Sequence, residues 1–128
     1  MLAGGIGSAS AAEWIARGGQ VVLADLPSQE ETANAFLEAH GGAGVFVPTD
    51  TRELADLEAA AEAAKALGTL TCWFNNAGFG QPGDDVPGIR EKGLSPELQN
   101  MLAVNTCAPS SLSLFALQNC GCHATRSW

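Results

Sequence analysis

Three short apolar runs, at residues 20–24, 45–47 and 70–74, stand about 25 residues apart, and helical patterns fill the gaps between them. Gln20 to Ala24 is a continuous apolar strand of the kind buried on both faces of a sheet, and Asp25 lies at its end. Val45-Phe46-Val47 is a second strand, ended by Pro48, and Leu70 to Phe74 is a third that reads as buried. Helix periodicity covers 8–17, where Ala11, Trp14 and Ile15 share one face and Gly18-Gly19 ends the element. Ser28 with Glu31 reads as a capping box for a second helix, with Ala33, Phe36 and Leu37 on its apolar face and Gly41-Gly42 as its stop. Asp50 with Glu53 is a second capping signal. Leu54, Leu57, Ala61, Ala64 and Leu67 then run along one face up to Gly68. Ser95 as N-cap and Pro96 at N1 open a last helix, expected to reach about residue 117 with a kink at Pro109. The alternation of strand and helix implies a parallel sheet wound with helices.

At 128 residues the chain is at most one domain. Its net charge of −8 argues against a nucleic acid or an anionic membrane as partner, because both require a basic surface. No run approaches the roughly 18 apolar residues of a membrane span, and Met1 to Gly4 carries no basic leader. Cys72 and Cys107 stand alone in apolar stretches, and Cys120 and Cys122 are too close for easy bridging. A reduced, soluble, intracellular protein is expected, in the cytoplasm.

Gly4-Gly5-Ile6-Gly7 directly precedes the first helix, and Gly7 stands 18 residues before Asp25. Such glycines permit a tight turn and close approach to a pyrophosphate at the positive helix end. An acidic residue ending the next strand can accept from both ribose hydroxyls. A plain glycine turn with a surface Asp25 explains the same pattern. Asn75-Asn76-Ala77-Gly78, after the third strand, lets a backbone approach something flat, where ligands bind in open α/β sheets. Asn105 is a poor helix former in mid-helix; it marks a surface position, a bend, or a side chain or freed carbonyl that holds a water. His40 beside its glycine pair reads as a surface cap, and no Ser/His/Asp or Cys/His set assembles. Cys120, Cys122 and His123 form a group of three where zinc sites usually want four, so no metal is expected.

Together these motifs resemble the short-chain dehydrogenase/reductase family over residues 3 to 117. Gly5 to Gly18 with Val21-Val22-Leu23-Ala24-Asp25 is similar to the family's glycine turn, helix and second strand. Asp50 matches the acidic residue that contacts adenine in the family. Asn75 to Gly78 matches its N-N-A-G signature, and Val104-Asn105-Thr106 the stretch that carries the Asn of its Asn-Ser-Tyr-Lys catalytic set. The segments 21–27 and 45–50, with the long 79–103 loop, look like the type 2 3-hydroxyacyl-CoA dehydrogenase branch.

The resemblance implies an α/β, Rossmann-like doubly wound parallel sheet and an NAD-dependent oxidoreductase. Such an enzyme moves hydride between NAD and a secondary alcohol, ketone or 3-hydroxyacyl-CoA. The implied cofactor residues are Gly5, Ile6 and Gly7 for the pyrophosphate and Asp25 with Leu26 for the adenosine ribose. Asp50 and Thr51 would serve adenine, and Asn76, Ala77 and Gly78 the floor of the site. Asn105 would support a proton-relay water. Asp25 with no Arg beside it favours NAD over NADP. Family members form homo-oligomers, and the branch resemblance extends the expected location to mitochondria.

Departures from the pattern shape the expectation further. Met1 falls where the family's first motif glycine belongs, so the first strand, expected between the strands at 20–24 and 70–74, is missing. The fifth strand with its Ser and the Tyr-x-x-x-Lys helix are absent, and the chain contains no tyrosine. The sequence thus divides into a partial NAD-binding domain, 1–118, and an unrelated tail, 119–128. The expected product is a fragment without turnover, or alternatively a non-catalytic nucleotide-binding remnant or a partner chain for a full-length homologue. A methyltransferase shares the glycine turn and acidic strand end, but Asn75 to Gly78 argues against it.

Overall fold

The computed structural model describes residues 5–80 and 95–107. In chain order the elements are α1 (Ile6–Ala16), β1 (Val21–Asp25), a 3-10 turn (Pro27–Gln29) and α2 (Glu30–Ala39). They continue with β2 (Gly44–Pro48), α3 (Leu54–Leu67), α4 (Pro96–Leu102) and one π-helical turn (Ala103–Cys107). β1 and β2 pair in parallel, with Val21 opposite Gly44 and Asp25 opposite Pro48. The fold is α/β with a two-stranded parallel sheet, an incomplete Rossmann-like arrangement. The length of the 79–93 loop, a helix reaching 117, the kink at Pro109, and the tail with Cys120, Cys122 and His123 concern residues outside those described.

Among the described residues, buried apolar side chains fall in two groups. Leu23, Ala33 and Leu37 form one core, with Ala11, Val21, Phe36 and Phe46 packed against it. Side chains alternate along a strand, so Val21, Leu23 and, across the register, Phe46 share this face. Leu57, Ala60 and Ala61 of α3 are the other buried apolar residues among those described. The expected apolar face of α2 is thus realised, whereas those of α1 and α3 are only partly covered: Trp14 and Leu54 stay exposed.

Helix ends follow the sequence in part. Gly19 N–H donates to Trp14 O at 3.0 Å beyond α1, and Gly42 N–H donates to Leu37 O at 2.8 Å beyond α2. Ser95 caps α4, its Oγ accepting from Leu98 N–H at 3.1 Å, with Pro96 at the first helical position. His40 closes α2 as a cap: its Nδ1 lies 2.8 Å from Phe36 O and its ring stacks on Phe36. Two capping expectations are corrected. The Ser28–Glu31 box does not form, because Pro27 starts a 3-10 turn and carries α2's N-cap on to Gln29. Asp50 does not cap α3, whose N-cap is Glu53 without a side-chain bond; Arg52 takes the Asp50 carboxylate instead.

The third expected strand is also corrected. Residues 69–80 lie outside any helix or strand, and Phe74 is 55% exposed. Strand structure comes from pairing with a neighbour, and apolar composition alone does not provide one. A cleft separates this segment from β1. Gln99 and the rest of α4 lead into the π turn, so the helix geometry changes at Ala103, within the span expected as continuous.

Candidate nucleotide site

The two strands end side by side, and the turns that leave them build a small pocket of about 130 Å³. Asp25 and Leu26 come from the end of β1, and Thr49, Asp50, Thr51 and Arg52 from the turn after β2. Ala77, Gly78 and Phe79 form another side, and α4 and the turn after it add Asn100 and Val104. Four separate stretches of sequence therefore converge beyond the carboxyl ends of the strands, where open α/β sheets bind ligands.

Asp25 is the last residue of β1 and only 8% exposed. Its Oδ1 accepts from Leu26 N–H at 2.8 Å, which orients the carboxylate at the strand end. Asp50 is held from several sides. Its N–H donates to Asp56 Oδ2 at 2.9 Å, and its Oδ1 accepts from Arg52 N–H at 3.0 Å. Arg52 Nε donates to both carboxylate oxygens of Asp50, at 2.9 and 3.1 Å, and Nη2 pairs with Oδ2 as well. Arg52 Nη1 reaches Asn100 Oδ1 at 2.6 Å and ties α4 to this turn.

The Arg52 side-chain hydrogen bonds hold the Asp50 carboxyl below its ordinary value, against the opposing effect of burial; the Arg52 backbone bond and positive charge add to the lowering. A lowered folded value means the carboxylate's stabilising contribution is complete above its unfolded value and is lost as pH falls through the folded one. Arg52→Ala is expected to move the Asp50 titration upward, because it removes the hydrogen bonds and positive charge that lower it. Carboxyl-carbon NMR of Asp50 across acidic pH checks this, and an unmoved midpoint would show that Arg52 does not set it.

The remaining expected residues fall in two places. Gly5 is the N-cap of α1 at φ 82°, a conformation that glycine adopts without strain, and Ser8 Oγ donates to its carbonyl at 3.2 Å. Ile6 is 71% exposed beside it. Gly7 and Asn76 line a second, larger cleft next to β1. Asn105 sits in the π turn and grips Phe79: it accepts from Phe79 N–H at 2.9 Å and donates from Nδ2 to Phe79 O at 2.6 Å. A Cβ on Gly78 would lie 3.2 Å from Asn105 Oδ1, so the glycine allows this close approach. Asn75 accepts from Trp73 Nε1 at 3.0 Å.

Sequence reasoning missed Arg52, Asn100 and Phe79. Arg52 follows Asp50 by two residues and could have been suspected as its partner. Asn100 and Phe79 carry no local signal, since their roles depend on contacts 48 and 26 residues away in sequence.

A match to a family model described as "Enoyl-(Acyl carrier protein) reductase" covers residues 2–118. An L-2,3-butanediol dehydrogenase of Corynebacterium glutamicum is 39% identical over 81 residues, which is 60% of this chain and 31% of that protein. Among solved structures, a Serratia marcescens short-chain dehydrogenase/reductase, as its F98L/F202L mutant, superposes with a TM-score of 0.72 at 25% identity. That match covers 92% of this chain and 47% of the Serratia protein, so the chain spans less than half the length of either relative.

Proposed function

Because this chain belongs to the short-chain dehydrogenase/reductase family, we propose that it supplies the adenosine-binding part of an NAD site for hydride transfer to or from a secondary alcohol or ketone. The observation that carries the reading is the convergence of Asp25, Asp50, Thr51 and Ala77-Gly78 on one pocket at the strand ends. The donor set suits the adenosine end of a dinucleotide. The Asp25 carboxylate accepts from ribose hydroxyls while Leu26 lies alongside, and Asp50 and Thr51 address the edge of adenine. Gly5, Ile6 and Gly7 begin α1, and the helix N-terminus would be the electrostatic partner of a pyrophosphate there. Asn76, Ala77 and Gly78 form the floor, and Asn105 acts as a positioning residue by holding Phe79 and, with it, that floor. NAD, when bound, supplies the hydride acceptor.

NAD is favoured over NADP for two reasons. The Asp25 carboxylate repels a 2′-phosphate, and the guanidinium of Arg52 is held by Asp50 and Asn100. The substrate class rests on relatives: the butanediol dehydrogenase is named for a secondary alcohol, and the reductase family for acyl thioester chemistry. A 3-hydroxyacyl-CoA combines both groups and agrees with the branch that segments 21–27 and 45–50 resemble.

Titration calorimetry of the 128-residue chain with NAD and with NADP tests the cofactor. NAD is expected to bind at least about tenfold more tightly. Asp25→Ala is expected to weaken NAD by about 10- to 100-fold, the size of a lost hydrogen bond to a charged group. Equal binding of NADP would sink the preference, and absence of heat with either nucleotide would sink the site.

The family's proton-transferring tyrosine has no counterpart here, since the chain contains none. We therefore propose that the chain alone does not turn over. Steady NADH formation from 3-hydroxyacyl-CoA and NAD by the purified chain would overturn this.

A further inference from the structure

Both oxygens of the Asp50 carboxylate are doubly engaged within the chain. Oδ1 accepts from Arg52 N–H at 3.0 Å and from Arg52 Nε at 2.9 Å. Oδ2 accepts from Nε at 3.1 Å and pairs with Nη2 as well. An ionised carboxylate offers about four lone-pair sites and no donor. These contacts therefore use up what Asp50 has to offer a ligand.

The guanidinium is the complementary case. It carries five N–H donors and no acceptor. Nε and one N–H of Nη2 are engaged by Asp50, and one N–H of Nη1 by Asn100 Oδ1 at 2.6 Å. That leaves one N–H on Nη1 and one on Nη2. Arg52 lines the small pocket together with both of its anchors. Those anchors sit on different elements, the turn after β2 and α4, so the plane of the group is fixed. A guanidinium held in this way loses less entropy when it makes a further bond.

Where a free Asp50 would offer an acceptor, the pocket thus offers donors. Adenine carries an amino donor at position 6 beside its N7 acceptor. A 6-oxopurine carries two acceptors there, O6 and N7, the pair that arginine recognises in guanine. Resting on the adenosine reading of this pocket, we propose that Arg52 is a specificity-determining residue for the base, and that the site admits a 6-oxopurine dinucleotide at least as well as NAD. Asp50 acts on the base edge by way of Arg52, as its anchor, and Asn100 shares that anchoring from α4. The 6-amino group of adenine gains no charged acceptor here, whereas a 6-oxo group gains a charge-assisted hydrogen bond.

Titration calorimetry of the full chain compares NAD with nicotinamide hypoxanthine dinucleotide, which carries a 6-oxo group and an N1 proton in place of the 6-amino group. The hypoxanthine dinucleotide is expected to bind within about threefold of NAD, or more tightly. Arg52→Ala removes the donors and vacates the carboxylate. It is expected to turn the preference toward NAD by at least about fivefold, the low end of discrimination by a paired arginine contact. Arg52→Met keeps the aliphatic stem, loses the donors and is expected to do the same. A parent chain that favours NAD by more than about threefold would leave the nucleotide site standing and overturn the role of Arg52. An unchanged ratio in variants with the parental far-ultraviolet circular dichroism would overturn it too. Absence of heat with both dinucleotides would instead remove the nucleotide site itself, and this proposal with it.

Discussion

Leu23→Ala is expected to abolish the cooperative thermal transition of this chain. Leu23 is 3% exposed at the centre of β1, packed with Ala33 and Leu37 of α2. Deleting its buried methyl groups removes transfer free energy and leaves a cavity, together about 2–5 kcal/mol. Small domains have only about 5 kcal/mol in hand, and this one buries few large side chains among its described residues. Neighbouring Ala33 cannot fill the space. Circular dichroism against temperature reads the outcome, and a retained sigmoidal melt within a few degrees of the parent would contradict the assigned core. Leu54→Ala provides the contrast: it is 60% exposed, and the same chemical deletion there is expected to change stability by less than about 0.5 kcal/mol.

The second large effect is expected at Gly44. A Cβ there would lie 2.2 Å from the carbonyl oxygen of Val21 and 2.8 Å from Val21 Cγ2. The nearer atom is backbone, so no rotamer change relieves it. Gly44 is the residue opposite Val21 at the start of the only described pairing. Gly44→Ala must push the strands apart there and strain the neighbouring Val21–Ala43 hydrogen bond. Overpacking of this kind costs about 1–3 kcal/mol, and Gly44→Val, with two more methyl groups, is expected to exceed it. Urea denaturation compares the two variants with the parent, and hydrogen exchange at Val21 localises the damage. An unchanged midpoint for Gly44→Val would show that β1 and β2 do not approach this closely.

Much of the architecture was legible because it is written in local chemistry. The runs at 20–24 and 45–47 became β1 and β2, displaced by one residue at their ends. Ala33 and Leu37 were read as a buried face and are one. Ser95 with Pro96 opened α4 as expected, because an N-cap is an interaction with residues only three positions away. Two other caps failed for reasons close at hand. Pro27 redirected the chain into a 3-10 turn ahead of Ser28's helix, and Arg52 outcompeted the α3 N–H groups for the Asp50 carboxylate.

The 70–74 run shows the limit of such reading. Its residues have strand composition, yet a strand exists only where a neighbouring backbone pairs with it, and β1 lies across a cleft from it. The site divides the same way. Gly5, Asp25, Asp50 and the 75–78 tetrapeptide were visible as motifs, since each is a short string recognisable from its own residues.

The amino-acid sequence by itself carried the family resemblance in its short motifs, and it carried the order of elements from α1 to α3 and the acidic strand end at Asp25, because such patterns are properties of neighbours along the chain. Tertiary structure alone decided that Arg52 and Asn100 join the pocket and that Asn105 clasps Phe79. Those outcomes depend on which distant backbones come within hydrogen-bonding reach, and no local pattern encodes that distance.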